Sequence, residues 1–168
     1  MTIKKILVAT DGSEQATRAA GYAVELAKGL GAEILALHVI ASNRGVLPVV
    51  TPPRGTIVSG TATTPAGGPA IEFGSAEKGE ESLRQTQRKG LDYVQQVVDT
   101  ARSAGVKADS KCCIIGDPAL RIVNFAREND IDLIVMGSRG MSTTKKILVG
   151  SVSDKVIRNA LCPVMIIR

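Results

Sequence analysis

Apolar positions along this chain alternate between two rhythms, and each change of rhythm marks an element. Lys5 to Thr10 is a short apolar run and predicts a first strand. Asp11-Gly12-Ser13 reads as a turn, with Ser13 as the N-cap of a helix. From Glu14 to about Leu30 the small and apolar residues fall at Ala16, Ala19, Ala20, Ala23, Leu26, Ala27 and Leu30. That spacing is one face of a helix, and Gly29 and Gly31 mark its end. Glu33 to Ile40 predicts a second strand, which completes a βαβ unit with a right-handed crossover.

The rhythm then lapses. Ser42 to Gly74 is rich in Pro, Gly, Thr and Ser, with Pro48, Pro52, Pro53, Pro65 and Pro69. It predicts a long excursion over the carboxyl edge of the sheet, either a lid or a tolerated insertion. Helical spacing resumes from Ser75 to Ala104, with Leu83, Leu91, Val94, Val97, Val98 and Ala101 on the apolar side. Val106 to Ile115 predicts a third strand, ending at Gly116. Asp117 and Pro118 suit the N-cap and first position of the next helix, whose inner face is Ala119, Ile122, Val123 and Ala126. Ile131 to Met136 is apolar enough for a strand buried on both faces. A last helix from Ser151 to about Ala160 and a fifth strand over Val164 to Ile167, entered through Pro163, close the chain. The alternation βαβαβαβαβ calls for an α/β fold, a doubly wound five-stranded parallel sheet with helices on both faces. The 168 residues suffice for one domain, 1–168.

Composition narrows the function classes. Hydrophobic content of 44% with 22% charged residues is that of a soluble globular protein, and aromatics at 2% leave the core to aliphatic side chains. The net charge is +5, but the basic residues are dispersed and no aromatic set exists to stack on bases, which argues against nucleic acid. No apolar run reaches the roughly 18 residues of a membrane helix. Met1-Thr2-Ile3-Lys4-Lys5 leads straight into a strand rather than a signal peptide, so a cytoplasmic protein is expected. Cys112, Cys113 and Cys162 make no CxxC and are expected as buried free thiols, the adjacent pair pointing to opposite faces of its strand.

The candidate chemistry sits after the fourth strand. Gly137 ends the apolar run, Gly140 follows after two residues and Gly150 after nine more, with Ser151 next and Asp154 three beyond it. Glycines let backbone approach a ligand closely, and a helix N-terminus offers unpaired N–H groups and a positive dipole end. Ser151 and Asp154 also fit a capping box. The loop is a cradle for phosphate oxygens, yet no Gly-Lys-Ser/Thr makes it a Walker A loop, and its glycines are too widely spaced for the dinucleotide fingerprint.

The spacing Gly, two residues, Gly, nine residues, Gly, Ser resembles the nucleotide loop of the universal stress protein family. Ile6 to Ser13 resembles that family's opening, and Ala160-Leu161-Cys162-Pro163-Val164-Met165-Ile166-Ile167-Arg168 its closing segment. The resemblance implies strand order 3-2-1-4-5, which brings Thr10-Asp11 and Met136-Gly137 to one crevice at the switch point of the sheet. It implies ATP as the ligand, with Mg2+ or Mn2+. The binding set would be Thr10, Asp11, Val39 through its backbone, Gly137, Ser138, Arg139, Gly140, Gly150, Ser151, Val152 and Ser153. Asp11 would bond a ribose or adenine or hold the metal, or else only brace the turn before Ser13. The hydroxyls of Ser151 and Ser153 would donate to phosphate, or Ser151 would only cap its helix; Arg139, Lys145 and Lys146 would face phosphate or solvent. His38, the one histidine, reads as structural. The resemblance also implies a homodimer through Val164, Met165, Ile166 and Ile167, an apolar edge that a two-fold partner would cover. The function expected is a stress-response regulatory switch. The alternatives are a slow ATPase or phosphoryl-transfer enzyme using Asp11 and Asp117, a binder of AMP or cyclic AMP, and a scaffold without nucleotide.

Overall fold

A computed structural model describes residues 2–41, 76–140 and 149–168, with the side chains of 76–80 and 111–114 outside that description. The expected excursion over 42–74, Lys145, Lys146 and the side chains of Cys112 and Cys113 therefore lie outside the described residues.

The elements run β1 (Lys5–Ala9), α1 (Glu14–Leu30), β2 (Glu33–Ala41), α2 (Ala76–Ser103), β3 (Ala108–Gly116), α3 (Pro118–Glu128), β4 (Leu133–Gly137), α4 (Ser151–Asn159) and β5 (Val164–Ile167). Among the described residues the strands form one parallel sheet in the order β3-β2-β1-β4-β5. This is the order the sequence resemblance implied.

Strand periodicity divides the core in two. Ile6 and Val8 of β1 and Leu133 and Val135 of β4 face α1 and α2, where Ala19, Ala23, Val94 and Val98 meet them. Leu7, Ile134 and Met136 face the other way, onto Ile122, Phe125 and Ala126 of α3 and Val156 of α4. Ile6, Leu7, Val8, Ile134 and Val135 are fully buried. Each such side chain contributes about 1.5–3 kcal/mol on leaving water. Small residues on α1 let it lie close to the sheet, and at Gly137 the approach is close: a Cβ there would stand 3.1 Å from the Ala16 nitrogen.

Local signals set most boundaries. Ser13 caps α1, its hydroxyl accepting from the Ala16 N–H at 3.2 Å, and Asp117 caps α3 by accepting from the Leu120 N–H at 3.2 Å. β3 starts two residues later than the apolar pattern suggests. Val106 is used to close α2: its N–H bonds the Ala101 carbonyl and Gly105, at φ +79, bonds Arg102, a Schellman ending. α4 starts at Ser151 as expected, but its cap differs. Gly150, not Ser151, is the N-cap, and no side chain caps it. The Gly150 N–H is held by the Ser138 carbonyl at 2.7 Å, so Gly150 takes the cap position and Ser151 is the first helical residue. The expected Ser151–Asp154 capping box does not form; Asp154 instead takes the Arg158 guanidinium at 3.0 Å.

One carboxylate ties the foot of the sheet together. Asp132, just before β4, accepts from the backbone N–H groups of Lys4 at 2.8 Å and Lys5 at 2.9 Å. Those bonds, Lys4 first, hold its pKa below the ordinary 3.8. A depressed carboxylate pKa gives stability that is complete above the unfolded value and is lost as pH falls through the folded one. Asp132→Ala is therefore expected to cost about 1–2 kcal/mol in urea unfolding at pH 7, from the lost hydrogen bonds. The gap from the unchanged protein should narrow as pH falls below 3.8.

Candidate functional site

The carboxyl ends of β1 and β4 part at the switch point of the sheet, and a hollow of about 260 Å³ opens there. Thr10 and Asp11 reach it from the end of β1 and Val39 from β2. Gly137, Arg139 and Gly140 come from the end of β4, and Gly150, Ser151, Val152 and Ser153 from the start of α4. Ten of the eleven residues in the expected binding set thus line one hollow.

The eleventh, Ser138, does not. It is 0% exposed, its N–H bonds the Ile167 carbonyl at 2.7 Å, and its own carbonyl holds Gly150. Ser138 lies beneath the hollow, joining the end of β5 to the start of α4. Its hydroxyl is buried with no hydrogen-bond partner among the described residues. Two further expectations are corrected by the hydrogen bonds. The Ser153 hydroxyl donates its single proton to the Gly137 carbonyl at 3.0 Å, in a buried bond, so it has none left for a phosphate. Asp117 does not border the hollow. It caps α3 and accepts from Lys155 Nζ at 3.3 Å, and the Leu120 N–H foremost holds its pKa low.

Main chain supplies the polar surface that remains. Ser151, Val152 and Ser153 are the first three residues of α4, and an α-helix leaves those N–H groups without an internal partner. They carry the positive end of the helix dipole into the hollow. Asp11 lines the same hollow. One of its oxygens accepts from the Ser13 N–H at 3.1 Å, and the other lies so close to Gly140 that a Cβ there would overlap it. The brace of the turn and the wall of the hollow are the same carboxylate. Among the described residues no three His, Cys, Asp or Glu side chains gather as a metal site. His38 is structural, as expected: it is buried, and its Nδ1–H donates to the Thr10 carbonyl at 2.9 Å.

Sequence reasoning missed the apolar side of the hollow. Pro118 and Ile122 of α3, with Leu37, Ala41 and Met136, line it too. Ile122 was legible only as core, because a helix position facing the sheet and one facing the switch-point crevice share the same spacing. A register shift between Leu37 and Val39 in the β2–β3 pairing puts one extra residue in β3 beside the hollow.

A larger, shallower hollow of about 660 Å³ lies at the other end of the sheet, among Lys4, Lys5, Lys28 and Lys107. It opens where the strands begin and where α1 and α2 end, so the helix dipoles there oppose an anion. The carboxyl-end hollow is the better ligand site despite its smaller volume.

Known proteins can now be set beside this geometry. The profile of the Universal stress protein family matches residues 2–50 and 56–168. Universal stress protein YxiE of Bacillus subtilis is 34% identical over 164 residues, covering 98% of each chain. Universal stress protein MJ0531 of Methanocaldococcus jannaschii is 36% identical over 165 residues, covering 98% of this chain and 82% of its own. Among solved structures, the hypothetical protein MJ0577 superposes with a TM-score of 0.72 at 25% identity, over 99% of this chain and 96% of that one. The universal stress protein from Archaeoglobus fulgidus in complex with dAMP has a TM-score of 0.58 at 24% identity, with 100% of both chains covered. A universal stress protein in complex with cAMP has a TM-score of 0.60 at 21% identity, over 100% of this chain and 98% of that one. No helix among the described residues is long and apolar enough to cross a membrane. Sheet order, the glycine-lined hollow and near full-length similarity agree, and this chain belongs to the universal stress protein family.

Proposed function

We propose that this chain binds an adenine nucleotide, with ATP the leading candidate, and acts as a cytoplasmic stress-response switch. The observation that carries the reading is that three helix-start amides, of Ser151, Val152 and Ser153, and the Asp11 carboxylate line one hollow. Phosphate oxygens would take the amides. The base would lie against Val39, Pro118 and Ile122, with the Val39 backbone as its polar contact. Asp11 would accept from ribose hydroxyls or join phosphate oxygens in holding Mg2+ or Mn2+. One carboxylate plus substrate phosphates is an ordinary Mg2+ environment, so the residues present fit a cation brought in with the nucleotide. We propose binding rather than efficient turnover, because His38 and Asp117 are both engaged in holding the fold.

A monophosphate, AMP or a cyclic form, is the second reading. The volume of about 260 Å³ lies just under the usual range for ligand pockets, which suits a smaller ligand, and the dAMP and cAMP complexes of related folds support it. Chromatography of small molecules released by denaturing the purified protein separates the readings. ATP supports the first and AMP or cyclic AMP the second; protein that carries none and takes up none when offered all three contradicts both.

We further propose a homodimer through β5. Its four residues are half-buried, and Leu161 just before it is 84% exposed. The Pro163 carbonyl accepts from Ile134 of β4 and the Ile167 carbonyl from Ser138 just after it, so by strand alternation the Ile166 N–H and C=O point to the open edge. Ile166→Pro removes only that outward donor and suits an edge strand. Light scattering should report a monomer with an intact sheet; a dimer of unchanged affinity would remove the edge-pairing reading.

A further inference from the structure

The residues on either side of Asp11 are held by two aromatic side chains, His38 and Tyr93, that do not border the hollow. Thr10, the residue before it, is bonded twice to β2: its N–H donates to the Leu37 carbonyl at 2.9 Å, and its carbonyl accepts from His38 Nδ1–H at 2.9 Å. Gly12, the residue after it, turns with φ +78 and places its Cα against the ring of Tyr93, where a Cβ would overlap the ring. Tyr93 comes from α2, and its ring meets His38 edge-on, with centroids 5.5 Å apart and planes at 71°. The Gly12 N–H bonds the Thr10 hydroxyl at 3.2 Å and closes the turn. A Tyr93–His38 pair in a chain with 2% aromatics is thus spent on the three residues around one carboxylate.

We infer that Tyr93 and His38 are positioning residues that set nucleotide affinity through Asp11. This rests on the nucleotide reading above and adds to it a route by which α2 reaches the site. The turn carrying Asp11 has its backbone fixed on one side by His38 and its packing on the other by Tyr93. Loss of the ring leaves Gly12 unsupported, and a glycine turn without a backing surface samples more of its allowed region. Asp11 then meets Gly140 and the ligand in a wider spread of positions. Tyr93 itself need not approach the nucleotide, and none of its atoms lines the hollow.

The test is a double-mutant cycle read by titration calorimetry with ATP and with AMP, in the presence of Mg2+. Tyr93→Ala and Tyr93→Leu are expected to bind about tenfold more weakly, roughly 1.4 kcal/mol. Tyr93→Phe, which keeps the ring, should restore affinity to within about twofold. In an Asp11→Ala background, Tyr93→Ala should cause no further loss, because its effect passes through the carboxylate. A purely structural role would lower the thermal midpoint and leave the affinity of the folded protein alone. Wild-type binding of both nucleotides with unchanged affinity in Tyr93→Leu overturns the inference, as does a loss that adds fully to that of Asp11→Ala. Failure of the unmodified chain to bind either nucleotide removes the nucleotide reading and this inference with it.

Discussion

Replacing Gly140 with valine is expected to weaken nucleotide binding about a hundredfold, roughly 2.7 kcal/mol, while leaving the fold intact. The first new atom, Cβ, would fall on one Asp11 carboxylate oxygen, and no other neighbour among the described residues is as close. That oxygen is the end of a side chain and moves easily, so the stability cost should stay within about 1 kcal/mol. What is lost is local: Asp11 is driven from its wall and the valine methyls enter the hollow. Charge-assisted hydrogen bonds of the kind Asp11 offers are worth about 1.5–3 kcal/mol each when a partner is removed. Equilibrium titration with ATP and thermal unfolding on the same preparation separate the two effects. Unchanged affinity with an unchanged midpoint would show that Asp11 and Gly140 take no part in binding.

Gly12→Val should do the reverse and damage the fold first. The backbone at Gly12 has φ +78, where a β-branched residue is strained, at about 1–3 kcal/mol. The added Cβ meets the Tyr93 ring rather than a flexible chain end, and forcing bulk into packed surroundings costs typically 1–3 kcal/mol more. A loss of about 3 kcal/mol in urea unfolding is expected, with the thermal midpoint lower by roughly 6–12 °C for a chain this size. Combining Tyr93→Ala with Gly12→Ala should recover the steric part and leave the conformational part. Were the double variant no more stable than the sum of its singles predicts, contact with Tyr93 would not be what excludes a side chain here.

Why some of this was legible in the sequence and some not follows from the range of each signal. Caps are local, and Ser13 and Asp117 both sit at the helix starts their side chains indicate. The faces of β1 and β4 follow from strand period alone, which is why both core clusters were readable. Ser151 misled as a cap because the residue that caps α4, Gly150, is held by a distant partner, the Ser138 carbonyl, which no local pattern contains. The same node removed Ser138 from the hollow. Ser153 was expected to donate to phosphate, and Asp117, besides its cap role, was a candidate carboxylate of the enzyme alternative, since a hydroxyl or carboxylate looks alike whether it serves a phosphate or a nearby main-chain group. Tyr93 is 82 positions along the chain from Asp11 in sequence number and reaches its turn only through the packing of α2, so the one local hint was the scarcity of aromatics.

The central claim is that the amides opening α4 take the anionic end of a nucleotide, with Asp11 in the same hollow. Amide resonances of isotope-labelled protein, followed through a titration with ATP and Mg2+, address it at the atoms concerned. The account predicts saturable shifts at Ser151, Val152, Ser153, Gly140 and Asp11, with Lys4, Lys28 and Lys107 unmoved. Shifts confined to those lysines, at the far end of the sheet, would contradict it.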